Sequence, residues 1–309
     1  MKAKTNGCDL HRDLSESCFG VGYARSIAQH GELFQGQIED RECRRRRCLV
    51  SLPCKEMYSE ATFEPSTTKT ITIQPPHKLK AKRSAELTCE YLKVPWNGGS
   101  IRIESTVPEA KGYGSSTADC VAATLAVADA ANTYLTEEEV ARLVVKAEVA
   151  SDNFMFQDAV LFAHRDGIIL ERFAPSLPRI EVIGVDTAEK SYVHTLEYPP
   201  AVYSRQQLQS FRILTGALRY ALRQRDVRLL GRVATASATI NEHFLPKPLF
   251  KDVVAIGRDV GAVGVAVAHS GTVLSVLFDP QDRQLERGIH QLRQHLCDLG
   301  ISKIMRFKT

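Results

Sequence analysis

A chain of 309 residues, 44% hydrophobic and 25% charged, holds enough apolar material for one large domain or two interlocked ones. Its formal charge of +4 is small for that length, and Arg44 to Arg47 concentrate much of the excess, so composition calls for no nucleic-acid partner and the arginine run receives no role. Charged residues stand at the N-terminus where a secretory signal needs an apolar run, and no stretch approaches the roughly 18 apolar residues of a membrane span, which predicts a soluble, cytoplasmic protein with no membrane partner.

Residues 1–20 are polar and aperiodic and are expected to form a loosely ordered extension. Alternation over Gly20 to Ile27 predicts a strand. The segment QHGELFQG, Gln29 to Gly36, then reads as a turn holding polar groups near a ligand, or as a plain hairpin loop. KTITI (69–73) and IRIES (101–105) alternate apolar and polar side chains with β-branched enrichment, the pattern of half-buried strands. Small and apolar residues recur at helical spacing from Thr117 to Tyr134, and Thr136 with Glu139 supplies a capping box for a second helix ending near Ala150. AVLFA (159–163), the turn His164 to Gly167 and the apolar run from Ile168 predict a hairpin.

Beyond Pro175 the expectations are a strand-like 190–196, a helix over Gln206 to Arg223, helices near 226–243 and 249–258, a strand pair from Gly264 to Phe278, and an amphipathic helix over 283–298. That order suits an α+β fold better than alternating βα units. The expected organisation is an N-terminal domain over 21–175 and a C-terminal domain over 176–309. The eight cysteines lack CxxC spacing, and Cys43, Cys48 and Cys54 match no structural-zinc pattern, so reduced thiols are expected. Trp96 has no functional assignment.

The most informative stretch is PEAKGYGSSTAD, Pro108 to Asp119, between a predicted strand and a predicted helix. Gly112 and Gly114 let the backbone approach a phosphate, while Ser115, Ser116 and Thr117 offer hydroxyls and amides at a helix N-terminus whose dipole favours an anion. Lys111 adds charge nearby, and a hydroxyl such as that of Ser116 also suits Mg²⁺. The alternative is a tight turn with a serine N-cap. The sequence lacks GxxxxGK[ST], and no GxGxxG follows a first strand, which disfavours P-loop and dinucleotide-binding classes.

PxxxGYGSST resembles the PxxxGLGSSA motif of the GHMP kinases, with Tyr113 in place of leucine and Thr117 in place of alanine. QHGELFQG lies where that family has its first motif, and GAVGVAVAHSGTVLSVLF (261–278) resembles its glycine-rich third motif, so the likeness spans roughly residues 22–305. It implies a GHMP kinase-like two-domain α+β fold, with an N-terminal half like ribosomal protein S5 and a ferredoxin-like C-terminal half. It also implies ATP on Lys111 to Thr117, Mg²⁺ held by Ser116 and Glu148, and transfer to a small-molecule hydroxyl, with room for a homodimer. Within the family, GELFQG and AHSGTV are most similar to the L-threonine kinase branch, which implies L-threonine as acceptor; homoserine, serine or another small alcohol are the nearest alternatives.

Phosphoryl transfer needs a group that orients or deprotonates the acceptor hydroxyl, and Asp152 in AEVASDN is the candidate, with Asp158 in reserve. Glu32 would hold an amino acid's ammonium, or else be a surface carboxylate. His269 and Ser270 would line the substrate pocket, or else form a hairpin turn with no ligand. A non-catalytic binding protein of the same fold would have no need of Glu148 and Asp152 beside the loop.

Overall fold

In the computed structural model, residues 20–96, 98–174, 176–188 and 201–309 are described; residues 1–19 of the expected extension and the strand-like 190–196 lie outside them. Ten strands among the described residues form one sheet. The first half supplies β1 (Gly22–Glu39), β2 (Arg45–Ser66), β3 (Ile71–Gln74), β4 (Gly98–Ser105), β5 (Ala159–Ala163) and β6 (Ile168–Ala174), with helices α1 (Leu79–Leu92), α2 (Ser115–Ala130) and α3 (Glu137–Glu148). The second supplies β7 (Glu181–Asp186), α4 (Arg205–Gln224), α5 (Val227–Asn241), α6 (Phe250–Asp259), β8 (Gly264–Val267), β9 (Val273–Phe278), α7 (Leu285–Asp298) and β10 (Ile304–Lys308). The strand order is β10-β7-β9-β8-β1-β2-β4-β3, with β5 joined to β2 and β6.

Chain order β7, helices, β8, β9, α7, β10 combined with spatial order β10-β7-β9-β8 is the ferredoxin-like βαββαβ arrangement expected for the C-terminal half. Among the described residues, no helix is long and apolar enough to cross a membrane.

Local chemistry accounts for the helices that carry the site. In α2 alanines dominate and nearly every residue is buried, because small side chains let the helix sit close against β1 and β2 with α1 and α3 beyond. The predicted capping box starts α3: the Thr136 hydroxyl accepts from the Glu139 amide, and the Glu139 carboxylate accepts from the Thr136 amide. The helix ends on Val149 at φ 74°, a left-handed conformation that β-branched residues rarely adopt, and the chain then turns back towards Asp152.

The expectation of a turn at QHGELFQG is corrected: the whole segment lies inside β1. Leu33 and Phe34 are fully buried, and the strand absorbs its irregular pattern through register shifts against β2 between Gln29 and Glu32 and between Glu32 and Phe34. β2 and α1 carried no clear sequence period, because Pro53, Lys55 and Glu56 interrupt β2 where its register against β1 also slips. β1 is the strand common to both halves. Its antiparallel partner on one side is β2, and on the other it meets β8 through the pair Glu32 and Val267.

His30, next to that junction, is fully buried and crosses the C-terminal sheet. Its Nδ1 lies 2.6 Å from Ser275 Oγ on β9, and its ring packs on Phe307 of β10 at 5.4 Å and edge-on against Tyr113 at 5.1 Å. Gly184 on β7 leaves room for the ring: a Cβ there would lie 2.2 Å from His30 Nε2. Since the ring is fixed by three neighbours, Gly184→Ala is expected to destabilise the protein by about 1–3 kcal/mol in denaturant unfolding, and the additional change His30→Ala to recover part of the loss.

Candidate active site

The glycine-serine loop is clamped before the helix begins. The Gln29 amide of β1 donates to the Tyr113 carbonyl at 3.1 Å, and the Thr272 amide from the β8–β9 turn donates to the Lys111 carbonyl at 3.2 Å. Gly112 at φ 99° and Gly114 at φ 73° occupy conformations other residues avoid. Both are also crowded, because a Cβ on Gly112 would meet the Ser270 carbonyl at 2.2 Å and one on Gly114 would meet Asp152 Oδ2 at 2.6 Å. Gly114 caps α2 without a side-chain hydrogen bond, and the first intrahelical bond is from Ala118 to Gly114 at 2.9 Å. The amides of Ser115, Ser116 and Thr117 therefore have no acceptor within the helix.

Beneath these amides lie three carboxylates from separate elements. Glu148, the buried last residue of α3, accepts a 2.6 Å hydrogen bond from the Thr117 hydroxyl, and the Thr117 Oγ1 in turn accepts from the Asp152 amide at 3.3 Å. Asp152 lies against Gly114 and is raised to about 7, first by burial and then by the Glu148 charge. Glu32 is 1% exposed; its oxygens make no close hydrogen bond, and the uncharged Ser51 and Gln29 side chains are the polar groups that face it. Burial, and then the Asp152 charge, push its carboxyl well above the usual range. Burial also raises Glu148.

The predicted residues fare differently. Gly112 and Gly114 with Ser115, Ser116 and Thr117 form the loop and the start of α2, and Glu148, Asp152 and Glu32 lie together beside it. Thr117 makes the close hydrogen bond to Glu148, while the buried Ser116 hydroxyl lies near the same carboxyl without a close partner. The Lys111 ammonium pairs with Asp186 at 3.2 Å and donates to the Ala188 carbonyl at 3.0 Å, which ties the loop to the end of β7. Ser270 presses its carbonyl on Gly112, and His269 stacks edge-on with His164 at 5.2 Å. Asp158 sits in a partly exposed ion pair with Arg172 at 2.7 Å, where Glu137 and Glu138 also gather, outside the pocket.

An oxygen donor set with an orphan hydroxyl fits a hard cation such as Mg²⁺, which commonly takes one or two carboxylates and completes its shell with phosphate oxygens and water. Unpaired amides at a helix start fit phosphate. Sequence reasoning missed Gln29, whose buried Oε1 is also unpartnered and whose side chain lies against Gly114. It also missed the pairing of Lys78 with Asp119 at 2.5 Å behind the loop. In the sequence both looked like ordinary polar positions.

Comparison with known proteins agrees with this geometry. The chain matches the GHMP kinases N terminal domain over residues 80–164 and the GHMP kinases C terminal domain over residues 218–296. It is 28% identical over 265 residues to an L-threonine kinase of Citrobacter freundii, covering 84% of this chain and 87% of that one. It is also 28% identical over 277 residues to an L-threonine kinase of Salmonella typhimurium, covering 86% of each. A homoserine kinase structure from Cytophaga hutchinsonii superposes with a TM-score of 0.65 at 16% identity, covering 93% of this chain and 94% of that one. Fold, loop and matched domains together are those of a small-molecule kinase. The chain belongs to the GHMP kinase family.

The Asp152 carboxyl lies above its unfolded value, so folding favours its protonated form, and the protein loses stability as pH rises from about 4 through about 7. Asp152→Asn mimics the protonated form. It is expected to be more stable than the wild type by about 1–3 kcal/mol at pH 8, with the advantage gone at pH 4, as read from denaturant midpoints at the two pH values.

Proposed function

We propose that this kinase transfers the γ-phosphoryl group of ATP to the side-chain hydroxyl of L-threonine, giving O-phospho-L-threonine. The observation that carries the reading is Glu32: a fully buried carboxyl next to Asp152, faced by the uncharged Ser51 and Gln29 side chains and by no cation among the described residues, has the placement to receive an ammonium group. An unpaired buried charge is costly unless a ligand compensates it, so a cationic substrate group gains most at such a position. The two relatives named L-threonine kinase point the same way, and GHMP kinases as a family use ATP.

In this reading the amides of Ser115 to Thr117 and the backbone at Gly112 and Gly114 hold the phosphates at the positive end of α2. Glu148, Thr117 and Ser116 hold Mg²⁺, which when bound neutralises charge on the phosphate oxygens. Asp152 accepts the threonine hydroxyl proton as that oxygen bonds to the γ-phosphorus and the bridging oxygen departs with ADP. Gln29 contributes a side-chain amide beside Asp152 to orient the hydroxyl. A base raised to about 7 is poised for work near neutral pH.

The test is ADP release with Mg-ATP and a panel of L-threonine, L-serine, L-homoserine and mevalonate. L-Threonine is expected to give the highest kcat/KM. Asp152→Asn is expected to lower kcat by about 10²–10⁴-fold and to remove an acid limb near pH 7 from the wild-type kcat/KM profile. Glu32→Gln is expected to raise KM for threonine by about 10–100-fold with little change in KM for ATP. Highest turnover with an acceptor lacking an ammonium group, unaffected by Glu32→Gln, would overturn the substrate assignment.

A further inference from the structure

Behind the β8–β9 turn, five basic side chains from four parts of the chain converge: Arg47 of β2, His164 and Arg165 of the β5–β6 turn, Lys247 between α5 and α6, and His269. Two are deeply buried. His164 is 4% exposed, and neither ring nitrogen has a hydrogen-bond partner. Lys247 is 6% exposed, and its ammonium touches the His269 carbonyl at 3.4 Å. The acid nearest to it, Glu242, accepts the Lys247 backbone amide at 2.9 Å. Arg47 donates to the Ala201 carbonyl at 2.5 Å and lies 6.0 Å over the Tyr203 ring.

Burial and mutual repulsion hold both imidazoles neutral, with His269 lowered to about 4, and burial lowers Lys247 to about 8. A bound anion would favour the protonated forms of these groups, as a bound cation would favour the ionised form of Glu32. Its location links it to the pocket. The Ser151 amide donates to the His164 carbonyl at 2.9 Å, next to Asp152, while His269 precedes the Ser270 carbonyl that presses on Gly112. His269 also lies two residues beyond Val267, the partner of Glu32, about 7 Å along an extended chain.

We propose that Lys247, His164, His269 and Arg47 form the subsite for the acceptor's carboxylate, with the exposed Arg165 at its edge. The inference rests on the amino-acid reading above and extends it: Glu32 and the basic cluster together select a zwitterion. A carboxylate brings two acceptor oxygens, matching the Lys247 ammonium and a ring N–H from either histidine.

The experiment compares the full-length wild type, Lys247→Met and Lys247→Arg with L-threonine and with L-threoninol, which lacks only the carboxylate function. Lys247→Met is expected to lower kcat/KM for threonine by about 10–100-fold, mainly through KM, while changing threoninol turnover and KM for ATP by less than about twofold. Lys247→Arg is expected to restore part of the threonine activity, which a loss of folding would not allow. Equal losses on threonine and threoninol, or a rise in KM for ATP in place of threonine, would overturn the subsite; the latter would assign the cluster to a phosphate. If wild type phosphorylates an uncharged alcohol and no amino acid, the acceptor reading fails by itself. The ring-proton NMR signals of His164 and His269 then decide the subsite: a shift with 3-hydroxybutyrate but not with butane-1,3-diol, lost in Lys247→Met, sustains it, and no shift removes it.

Discussion

Everything at the site depends on one strand serving both halves of the molecule. β1 pairs along its length with β2, yet touches β8 only where Glu32 meets Val267, and at that point its register against β2 slips twice. A regular ladder there would place side chains at even intervals and extend the pairing with β8. The irregular stretch instead brings Gln29, His30 and Glu32 to the junction within four residues. Gln29 holds the phosphate loop through its amide, His30 locks Tyr113 of that loop to the C-terminal sheet, and Glu32 remains unpaired beside Asp152. The seam of the fold and the wall of the pocket are the same residues.

Charge is distributed accordingly. Within the arginine run, Arg44 and Arg46 pair with Asp40, Arg45 with Glu39, and Arg46 also with Asp166. Such surface pairs contribute at most about 1 kcal/mol each and neutralise Arg44 to Arg46 at the hairpin tip, whereas Arg47 turns inward to the Ala201 carbonyl. At the junction the opposite holds, with Glu32 and Glu148 on either side of Asp152 and a basic cluster around His164 left apart. Burial shifts these groups towards their neutral forms, and polar groups held out of water with incomplete compensation are a cost that the rest of the core has to offset. The extensive apolar packing of α2 against the sheet and of α5, α6 and α7 against the C-terminal strands is what tolerates that cost.

The legible part of the sequence was local. The glycines and hydroxyls of residues 112–117, the Thr136–Glu139 capping box, and the helices near 206–223 and 249–258 each follow from a short-range rule, and their observed boundaries differ from the expected ones by a few residues. The long strands were less legible. β1 and β2 are irregular where they are most important, and a bulge erases the period of two that a strand is recognised by. Glu32 was visible as an acid in an apolar context, but its lack of a partner is a property of three dimensions. The same holds for Arg47, His164 and Lys247, which are separated by more than eighty residues and share no motif. Lys111 illustrates the converse: its position beside the loop suggested a phosphate contact, while Asp186, 75 residues later, fixes its charge.

That fixing bears on how such a site works. The loop is held from β1 through Tyr113, from the β8–β9 turn through Lys111, and from the end of β7 through the Lys111 ammonium. It is therefore set in shape by both halves before any ligand arrives, and the three free amides at the start of α2 need little reorganisation to meet an anion. Phosphoryl transfer involves little covalent chemistry from the protein, so its rate depends on fixed dipoles and on holding the acceptor in line. A loop anchored to both halves also couples their relative position to the phosphate site. A shift of the β8–β9 turn would move the Gly112 backbone, through the Ser270 carbonyl packed against it, and His269 along with it. The phosphate cradle and the proposed acceptor pocket are thus parts of one rigid connection, and the spacing between donor and acceptor is set by that connection rather than by the reach of flexible side chains.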